Sequence, residues 1–584
     1  MRHFSIISMI MSLLPLILTI DCVLGLYETA PHIIVFMADD LGWNDVGFHG
    51  SNQIPTPNID ALAYNGIILN RHYVLPSSTP SRTAFFTGLY PIRIGMQGEG
   101  IRGGEPRGLP LHIKILPEHL RGLGYITKLI GKWHIGYHTP QYTPLHRGFD
   151  SFFGFYNSHI TYYDYEYSNQ FSSPQNMTGY DMHRGDDPAY GIKREYVTDL
   201  FTKEAIKIIE NHELPRPLYL QISHLAVHAP IEQPDDLSND EIIQIREPNR
   251  RKYAKMVSKL DESVGRIVHA LGEKGMLRDS LILFLTDNGA ASIGRYRNYG
   301  SNYPLRGTKY TLYEGGVRGV AALWSSRLEK AARVFKKLIH ITDWLPTLYS
   351  AAGGDLKDLG EIDGIDQWRV LSEGQGHGRE KLLLNIDEVM KTEGAIYSRF
   401  KLLRGSIGND YYDKYYGDSG RTLETPPYTE VVLKSAVSQS ITYHLGGPVT
   451  QPSTMIQLRR EATVQCHPNV TYYYRHSFTF CNMTECLFDI VNDPCETKNI
   501  AEAYARIARD LDLYLEQYGR VLMKQIKKPV DWLADPKRRN NTWEPWMNSR
   551  ATIYVQNIGT VFVNLAYYIH VSIIFISVLM NNFI

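Results

Sequence analysis

Two short acidic segments are the first candidates for chemistry in this chain of 584 residues. Asp39–Asp40 follows the apolar run His32–Met37 after one residue, and Asp287–Asn288 follows the run Leu281–Leu285 in the same way. Adjacent carboxylates repel each other unless a cation or a surface turn relieves the repulsion. Their oxygen ligands suit a hard ion such as Ca²⁺ or Mg²⁺, not Zn²⁺. Each segment alone also fits an ordinary loop, but the pair at two strand ends indicates a metal site.

Five basic side chains form the second candidate set. Lys132 and His134 are two residues apart, so an extended segment would direct both to one side. His228, Lys309 and Arg82 complete the set. In isolation each lysine fits a solvated surface and each histidine a satisfied polar residue. If they converge on a divalent ion, they supply the positive donors that stabilise negative charge developing on a transferred group.

Alternating strand and helix patterns must position these groups. The runs His32–Met37, Leu218–Ile222 and Leu281–Leu285 are short and apolar, as in buried strands, and each leads into polar residues. Pro57–Asn65 and Arg82–Thr87 predict helices. The alternation predicts an α/β fold, with helices on both sides of a mostly parallel sheet. Ligands bind such sheets where the carboxyl ends of the strands converge.

The last third predicts a smaller α+β unit. Residues 372–378 are rich in glycine and polar groups and indicate a linker. Lys381–Ile386 and Ala395–Leu403 predict strands, the tyrosine-rich stretch 411–474 predicts long loops, and Ile507–Met523 predicts a closing helix. The predicted organisation is a signal peptide at 1–25, an α/β domain at 26–375, an α+β subdomain at 376–545 and a tail at 546–584.

The two ends of the chain indicate where the protein is located, and its overall charge limits the partners it can bind. Residues 1–25 have the pattern of a secretory signal peptide, although an uncleaved anchor helix also fits. The apolar tail fits a GPI signal, a single-pass helix or a plain secreted end. Sequons at Asn176, Asn469, Asn482 and Asn540 agree with secretion. The formal net charge of zero argues against a nucleic-acid partner.

Cysteine usage points to an oxidising compartment. Cys22 lies in the signal peptide, and Cys466, Cys481, Cys486 and Cys495 cluster near the C-terminus. Two disulfides are expected, with three possible connectivities. No cysteine occurs between residues 26 and 465, so the first domain holds no thiol nucleophile.

The ordered motifs resemble the sulfatase family, and within it most closely the arylsulfatase B (N-acetylgalactosamine-4-sulfatase) group. The segment 75–82 resembles the signature Cys-x-Pro-Ser-Arg, with Ser78 at the position of the cysteine that becomes formylglycine. Further matching blocks are Ala38–Asp45, Gly131–Gly136, Thr286–Gly289, Pro304–Gly319 and Cys486–Pro494. The resemblance runs from about residue 31 to 501, and it implies an alkaline-phosphatase-like fold.

The resemblance also implies roles for the candidate residues. One Ca²⁺ would be bound by Asp39, Asp40, Asp287 and Asn288, with position 78 completing its shell. Arg82 would stabilise the nucleophile, and Lys132 and Lys309 would hold the sulfate oxygens. His228 would protonate the leaving alcohol, and His134 would act as the base that expels sulfate.

Ser78 leaves three hypotheses open. The first is an active sulfuric ester hydrolase in which Ser78 is converted to formylglycine or attacks directly. The second is a pseudosulfatase that binds sulfated glycans, since the same groups also bind ground-state sulfate. The third is a phosphatase or phosphodiesterase, which generally needs two zinc ions with histidine ligands. The maturation motif Leu-Thr-Gly-Arg also departs from the family pattern, because Leu89 replaces its arginine. A sequencing error at position 78 is a further explanation.

The expected partner is a sulfated glycan containing 4-sulfated galactosamine, or alternatively a small sulfate ester. The segment His159–Tyr163 and the tyrosine-rich stretch are expected to shape its pocket. The expected location is the secretory pathway, with a lysosomal, secreted or cell-surface end point.

Overall fold

The computed structural model describes most of the globular part of the chain. It covers residues 30–170, 176–192, 194–236, 242, 244–416, 419–420, 428–447, 449–466, 481 and 485–547. The predicted signal peptide, the tail beyond residue 547 and the sequons at Asn469 and Asn482 lie outside these residues. Within the described ranges, no helix is long and apolar enough to cross a bilayer.

A ten-stranded sheet forms the centre of the molecule, in the order β13-β2-β12-β11-β1-β10-β4-β5-β8-β9. Its five middle strands run parallel, and antiparallel pairs flank them on both sides. The strands are β1 (His32–Ala38), β2 (Ile67–Leu69), β4 (Ile126–Lys132), β5 (Ser151–Phe155), β8 (His183–Arg184), β9 (Asp187–Pro188), β10 (Leu218–Ser223), β11 (Ser280–Thr286), β12 (Ala321–Ser325) and β13 (Arg333–Phe335).

The middle strands form because their side chains are buried on both faces of the sheet. Every residue of β1, β10 and β11 is buried. Such strands need continuous apolar runs, and this explains why His32–Met37 and its counterparts were recognisable in the sequence. Helices cover the sheet, and the prediction of a mostly parallel sheet between helices is confirmed.

The helices in the described residues vary from one turn to seven. They are α1 (Pro57–Asn65), α2 (Ser78–Thr87), α3 (Leu116–Gly122), α4 (Val197–Glu210), α5 (Pro248–Glu273), α6 (Glu314–Val317), α7 (Trp344–Ala351), α8 (Trp368–Ser372), α9 (Tyr428–Leu433), α10 (Ala436–Leu445), α11 (Pro452–Ala462) and α12 (Ala505–Gly519). α1 has the predicted bounds, with Pro57 at its first position, where a missing N–H costs nothing. α2 begins four residues before the predicted Arg82.

A second sheet follows the linker region, with four antiparallel strands in the order β15-β16-β17-β18. They are β15 (Lys381–Asp387), β16 (Thr392–Tyr397), β17 (Phe400–Arg404) and β18 (Cys486–Asp489), and α12 packs on this sheet. Four short strands form two small pairings, β3 (His72–Tyr73) with β14 (Ile339–His340), and β6 (Glu166–Ser168) with β7 (Thr178–Tyr180).

Two expectations for the C-terminal part were wrong. The predicted single strand Ala395–Leu403 is a hairpin, because Ser398 adopts a positive φ of 54° and reverses the chain. The predicted loops of the tyrosine-rich stretch contain α9, α10 and α11. These helices bury few, widely spaced apolar residues such as Val437 and Met455 against the main core, so their periodicity was weak in the sequence.

The four C-terminal cysteines form two disulfides. Cys466 pairs with Cys495, and Cys481 pairs with Cys486. The second pair lies at the start of β18 and inside an apolar cluster on one side of the second sheet. The structure thus selects one of the three possible connectivities.

Candidate active site

The acidic residues meet at the carboxyl edge of the large sheet. Asp39–Asp40 follows β1, and Asp287–Asn288 follows β11. The two strands are parallel neighbours, with Ala38 beside Thr286 in register, so the residues after them lie side by side. All four acidic or amide side chains are fully buried.

Each carboxylate has a buried cationic partner. Lys132, the last residue of β4, places Nζ 2.6 Å from Asp39 Oδ2. Lys309 Nζ lies 2.7 Å from Asp40 Oδ1. The third pair joins Arg82 on α2 to Asp287, with 2.9 Å between Nη2 and Oδ2. Three negative and three positive groups therefore cancel in formal charge, and this balance makes the burial of six charges tolerable.

Ser78 faces the acidic residues from the first position of α2. Its Oγ lies 3.4 Å from Asp39 Oδ1 and 3.2 Å from Asn288 Oδ1, and the residue is 3% exposed. The Asn288 amide is oriented by its Nδ2, which donates to Asp40 Oδ1 at 2.6 Å. The helix N-terminus also directs its unpaired backbone N–H groups and positive dipole end toward this point. Ser78 thus occupies the position expected of a nucleophile.

The two histidines complete the site by different routes. His228 Nε2 lies 3.6 Å from Asp40 Oδ2, while its Nδ1 lies 2.5 Å from the carbonyl oxygen of Ala229. His134 has a φ of 57°, so the segment after β4 is not extended as predicted. Its Nε2 contacts the carbonyl oxygen of Ile101 at 3.0 Å. His134 therefore reaches the site through a left-handed turn and not through strand alternation.

Burial determines the protonation of these groups. It lowers the pKa of His134, with Lys132 adding to the effect, and lowers the pKa of His228, with Lys309 adding to it. Burial also lowers the pKa of Lys132 to about 8, against the opposing charge of Asp39. For Lys309 burial acts in the same direction, but Asp40 outweighs it and raises the pKa above its usual value. The ligand-free site thus holds neutral imidazoles beside its lysines.

The residues present fit a hard divalent ion. Asp39, Asp40 and His228 offer ligand atoms that all lie within 4.8 Å of one another. The oxygens of Asp39 and Asn288 that face Ser78 point to the same space. Carboxylate and amide oxygens dominate this set, as calcium and magnesium require.

A cavity of about 720 Å³ opens above Ser78, and both the large domain and the second sheet line it. The large domain contributes His134, His228 and Lys309. The remaining wall includes Tyr412, which belongs to the tyrosine-rich stretch expected to shape the pocket, and residues that the sequence analysis did not identify: Glu99, Arg102, Arg295, Tyr296, Asn385, Asp387 and Thr392.

Asn385 is the most informative of these additional residues. It lies on β15 at a register shift that follows Leu383, is 3% exposed, and its Oδ1 has no hydrogen-bond partner. A buried amide oxygen without a partner is costly unless a ligand or water satisfies it. A β-bulge leaves no clear trace in a single sequence, and this explains why the residue was missed.

Comparison with known proteins decides the family. The protein-family model described as Sulfatase matches residues 31–354, which is more than half of the 584 residues. Arylsulfatase J of Mus musculus is 34% identical over 519 residues, which cover 88% of this chain and 80% of that protein. The chain belongs to the sulfatase family. This sulfatase is also 33% identical over 361 residues to N-acetylgalactosamine-6-sulfatase of Mus musculus, with 59% of this chain and 67% of that protein covered.

Solved structures share the fold at lower identity. Ps i-CgsB in complex with k-i-k-neocarrahexaose has a TM-score of 0.65 at 24% identity, with 88% of this chain and 98% of that chain covered. A structure in complex with its substrate D-glucosamine-2-N,6-O-disulfate has a TM-score of 0.54 at 17% identity, with 85% and 98% covered. Together with the family match, these confirm the predicted sulfatase fold and the class of sulfuric ester hydrolases.

Proposed function

We propose that this sulfatase hydrolyses sulfate esters on sulfated sugars, with the side chain at position 78 as the nucleophile. The observation that carries the proposal is the approach of Ser78 Oγ to Asp39 and Asn288 within a ring of three buried cations. Among the described residues, the buried candidates for metal binding form a single cluster. This favours a one-ion sulfate-ester site over the two-zinc phosphatase alternative.

Charge balance supports binding of an anion. The three carboxylates and three cations are neutral together. A Ca²⁺ held by Asp39, Asp40, Asp287 and Asn288 would give the site an excess of two positive charges and act as a Lewis acid on the nucleophile and sulfate oxygens. A singly charged sulfate ester would then be attracted to Lys132 and Lys309, which are placed to bind its oxygens.

The first half of the proposed reaction transfers the sulfuryl group to position 78. The hydroxyl at position 78 gives its proton to Asp39, which accepts its hydrogen bond, and its oxygen forms a bond to sulfur as the bond from sulfur to the sugar oxygen breaks. Arg82 stabilises the nucleophile, and His228 donates a proton to the leaving sugar oxygen. Burial and Lys309 lower the pKa of His228 in the free protein, and the negative charge of a bound sulfate ester raises it again.

The second half must release sulfate from the enzyme. His134 Nδ1 is buried without a hydrogen-bond partner, as suits a base that accepts a proton only during the reaction. An unmodified Ser78 has no second hydroxyl from which a proton can be taken. Conversion of Ser78 to formylglycine supplies that second hydroxyl in the hydrated aldehyde, and repeated turnover then follows.

The encoded serine favours a second candidate function, a pseudosulfatase that binds sulfated glycans. Without conversion, the pocket keeps its cations and a sulfate ester still binds, because ground-state and transition-state contacts use the same groups. Leu89 in place of the arginine of the maturation motif points the same way. In that case the protein acts as a lectin-like module.

The cavity supports a sugar substrate larger than one ring. Its volume of about 720 Å³ lies within the usual range of 300–1,000 Å³ for ligand pockets. Asn385 and Asp387 offer hydroxyl-binding groups across from Ser78. The relative named N-acetylgalactosamine-6-sulfatase and the neighbour bound to a sulfated glucosamine agree with a sulfated sugar. We propose a glycosaminoglycan unit of the arylsulfatase B type, with 4-sulfated galactosamine as the first candidate and a small sulfate ester as the alternative.

The proposed location is the secretory pathway. The two disulfides of the globular part need an oxidising compartment. The end point is lysosomal, secreted or cell-surface, with attachment through a GPI anchor or a single helix in residues 546–584. Release of the protein from cells by a phosphatidylinositol-specific phospholipase would support the GPI anchor, and retention would favour a helix.

The first experiment is mass spectrometry of the tryptic peptide His72–Arg82 from native cells. A peptide two hydrogens lighter than the serine form shows formylglycine, and sulfate release from sulfated disaccharides should then be measurable. An unmodified serine predicts at most one turnover, so binding to a sulfated-glycan array becomes the assay. Neither turnover nor binding with Ca²⁺ present would overturn both candidate functions.

A further inference from the structure

A second group of metal-binding side chains lies on the surface, away from the active site. His269 and Glu273 are four residues apart near the end of α5, and His444 lies in the last turn of α10. Their ligand atoms all lie within 4.8 Å of one another. The three side chains come from two helices separated by more than 160 residues of sequence, so the fold itself creates the cluster.

The spacing already resembles a zinc site. His444 Nε2 lies 3.4 Å from Glu273 Oε1. Two tetrahedral ligands at the usual zinc distances of about 2.0–2.2 Å are separated by about 3.4 Å. His269 and Glu273, four apart on one helix face, are neighbours by helical geometry. Glu273 is 60% exposed and His269 is also exposed, so these two side chains can make the remaining small adjustment by rotamer changes.

Gly272 supplies an independent indication that His444 is held at this place. A Cβ at position 272 would lie 2.3 Å from Cδ2 and 2.7 Å from Nε2 of His444. Gly272 does not terminate α5, because the left-handed position after the helix belongs to Gly275, with a φ of 75°. Glycine costs a helix up to about 1 kcal/mol relative to alanine. The glycine therefore allows the His444 ring to lie directly against the α5 backbone.

Neighbouring groups orient the cluster. Ser440, on the same helix as His444, has its Oγ 3.4 Å from His269 Nδ1 and ties that ring to α10. The Nζ of the nearby Lys274 donates to the carbonyl oxygen of Glu210 at 2.7 Å, so the positive charge of this lysine lies against α4. The contact between Ser440 and the His269 ring is the kind of outer-sphere hydrogen bond that is typical of metal-bound histidines.

We propose that His269, Glu273 and His444 form a zinc site that ties α10 to α5. Two imidazoles and one carboxylate with a water in the fourth position are a usual ligand set for Zn²⁺, and the oxygen-rich active site prefers a different ion. The bound ion links the C-terminal helices to the large domain. This site is independent of the proposed function, because none of its residues lines the active-site cavity.

The test is calorimetric titration of the full-length protein, made without a histidine tag, with ZnCl₂ in a buffer containing saturating CaCl₂. We expect one saturable zinc site in the wild type. His444→Ala and Glu273→Gln should each weaken it at least tenfold, whereas His377→Ala, at an exposed histidine elsewhere, should leave it unchanged. Equal affinity in the wild type and His444→Ala, or no saturable binding, would overturn the proposal.

Gly272→Ala provides a second variant in which every ligand is kept. Its added methyl group must displace the His444 ring, so zinc affinity should fall several-fold while the improved helix propensity keeps the protein folded. Co²⁺ should give the intense visible absorption of four-coordinate cobalt in the wild type and lose it in this variant. Unchanged affinity and spectrum in Gly272→Ala would show that the ring position does not define the site and would overturn the geometry proposed here.

Discussion

At the residue scale, the active site depends on pairing each buried charge. Asp39, Asp40 and Asp287 each contact a lysine or an arginine at 2.6–2.9 Å. Removing one member of such a pair leaves an uncompensated buried charge, which costs about 3–5 kcal/mol. A bound divalent ion would offset the loss of a lysine or arginine but not the loss of a carboxylate, so stability and metal binding at the site are expected to be linked.

Lys132→Met tests the sulfate-binding role of one cation. The change removes the charge and keeps the apolar stem. We expect kcat/KM for a sulfate ester, or the affinity for a sulfated glycan in an unconverted protein, to fall by about 10²–10³-fold, the usual effect of losing one oxyanion donor. Lys128→Met, four residues earlier on the same strand and partly exposed, is the matched control. Equal activity of the two variants would remove Lys132 from the mechanism.

Asn385→Ala tests the cavity wall provided by the second sheet. Its side-chain oxygen has no partner in the protein, so the substitution breaks no hydrogen bond to Oδ1. We expect KM for a sulfated disaccharide to rise about 5–10-fold, as for one lost hydrogen bond. The KM for a small aryl sulfate should not change, because a substrate of that size is too short to reach Asn385 on β15. A parallel loss on both substrates would indicate a structural effect.

At the scale of elements, strand ends explain what the sequence could reveal. Asp39–Asp40 and Asp287–Asn288 follow continuous apolar runs, so the sheet edge at which these polar residues meet was predictable from burial alone. The convergence of Lys132 and Lys309 was not, since it depends on register and on loops, and the family resemblance supplied it. His134 needed a left-handed residue, and Asn385 needed a β-bulge. Neither leaves a periodic signal.

Gly131→Ala should disturb the element that positions Lys132. Gly131 has a φ of 93°, and a Cβ there would lie 2.0 Å from the carbonyl oxygen of Ser223 on β10. We expect the free energy of unfolding to fall by roughly 2–4 kcal/mol, measured by denaturant titration, because backbone strain and steric overlap add. Gly124→Ala has a similar φ of 86° and open space, so it should cost clearly less. Similar costs for both would contradict the steric argument.

A buried triad links the second sheet to α6. Lys401 Nζ lies 2.9 Å from both Glu314 Oε1 and Glu496 Oε1. Two carboxylates thus share one lysine away from water. Burial, together with Glu314, raises the pKa of Glu496 to about 7 from its usual 4.5, against the charge of Lys401. Glu496 therefore keeps its proton to a higher pH in the folded protein than in the unfolded chain.

This triad predicts a pH dependence of stability. Because the pKa of Glu496 is higher in the folded protein than in the unfolded chain, its protonation stabilises the folded protein fully at pH values below the unfolded pKa. This stabilisation is lost as the pH rises from about 4.5 to about 7. Glu496→Gln should reduce the loss of unfolding free energy between pH 5 and pH 8 by roughly 1–3 kcal/mol. Glu361→Gln, with a side chain 95% exposed, should keep the wild-type profile. Parallel profiles for the wild type and Glu496→Gln would refute this protonation state.

At the scale of the whole molecule, the Cys466–Cys495 disulfide connects the second sheet to the helices that pack on the large domain. Cys466 follows α11, which packs on the large domain, and its partner Cys495 follows β18 of the second sheet. This disulfide therefore joins the chain after α11, which packs on the large domain, to the chain after β18 of the second sheet. Single-sequence reasoning gave the number of bridges but not the partners, because pairing depends on how α11 returns to the main core.

Replacing both Cys466 and Cys495 by serine should lower the stability of the folded protein. We expect the free energy of unfolding to fall by about 2–4 kcal/mol, as for other native disulfides. Thiol labelling and non-reduced peptide mapping of the secreted wild type should show the two bridges and no free thiol among the four C-terminal cysteines. A mapped Cys466–Cys481 bridge instead would overturn the connectivity.

The shared cavity wall has a consequence for how substrate preference can change. The groups assigned to bond breaking lie between residues 39 and 309, while Asn385, Asp387 and Thr392 belong to one hairpin of the other sheet. Selection can therefore alter this hairpin without touching the reaction centre. Exchanging β15 and β16 with those of a relative offers an engineering route to new glycan specificities while the catalytic centre stays unchanged.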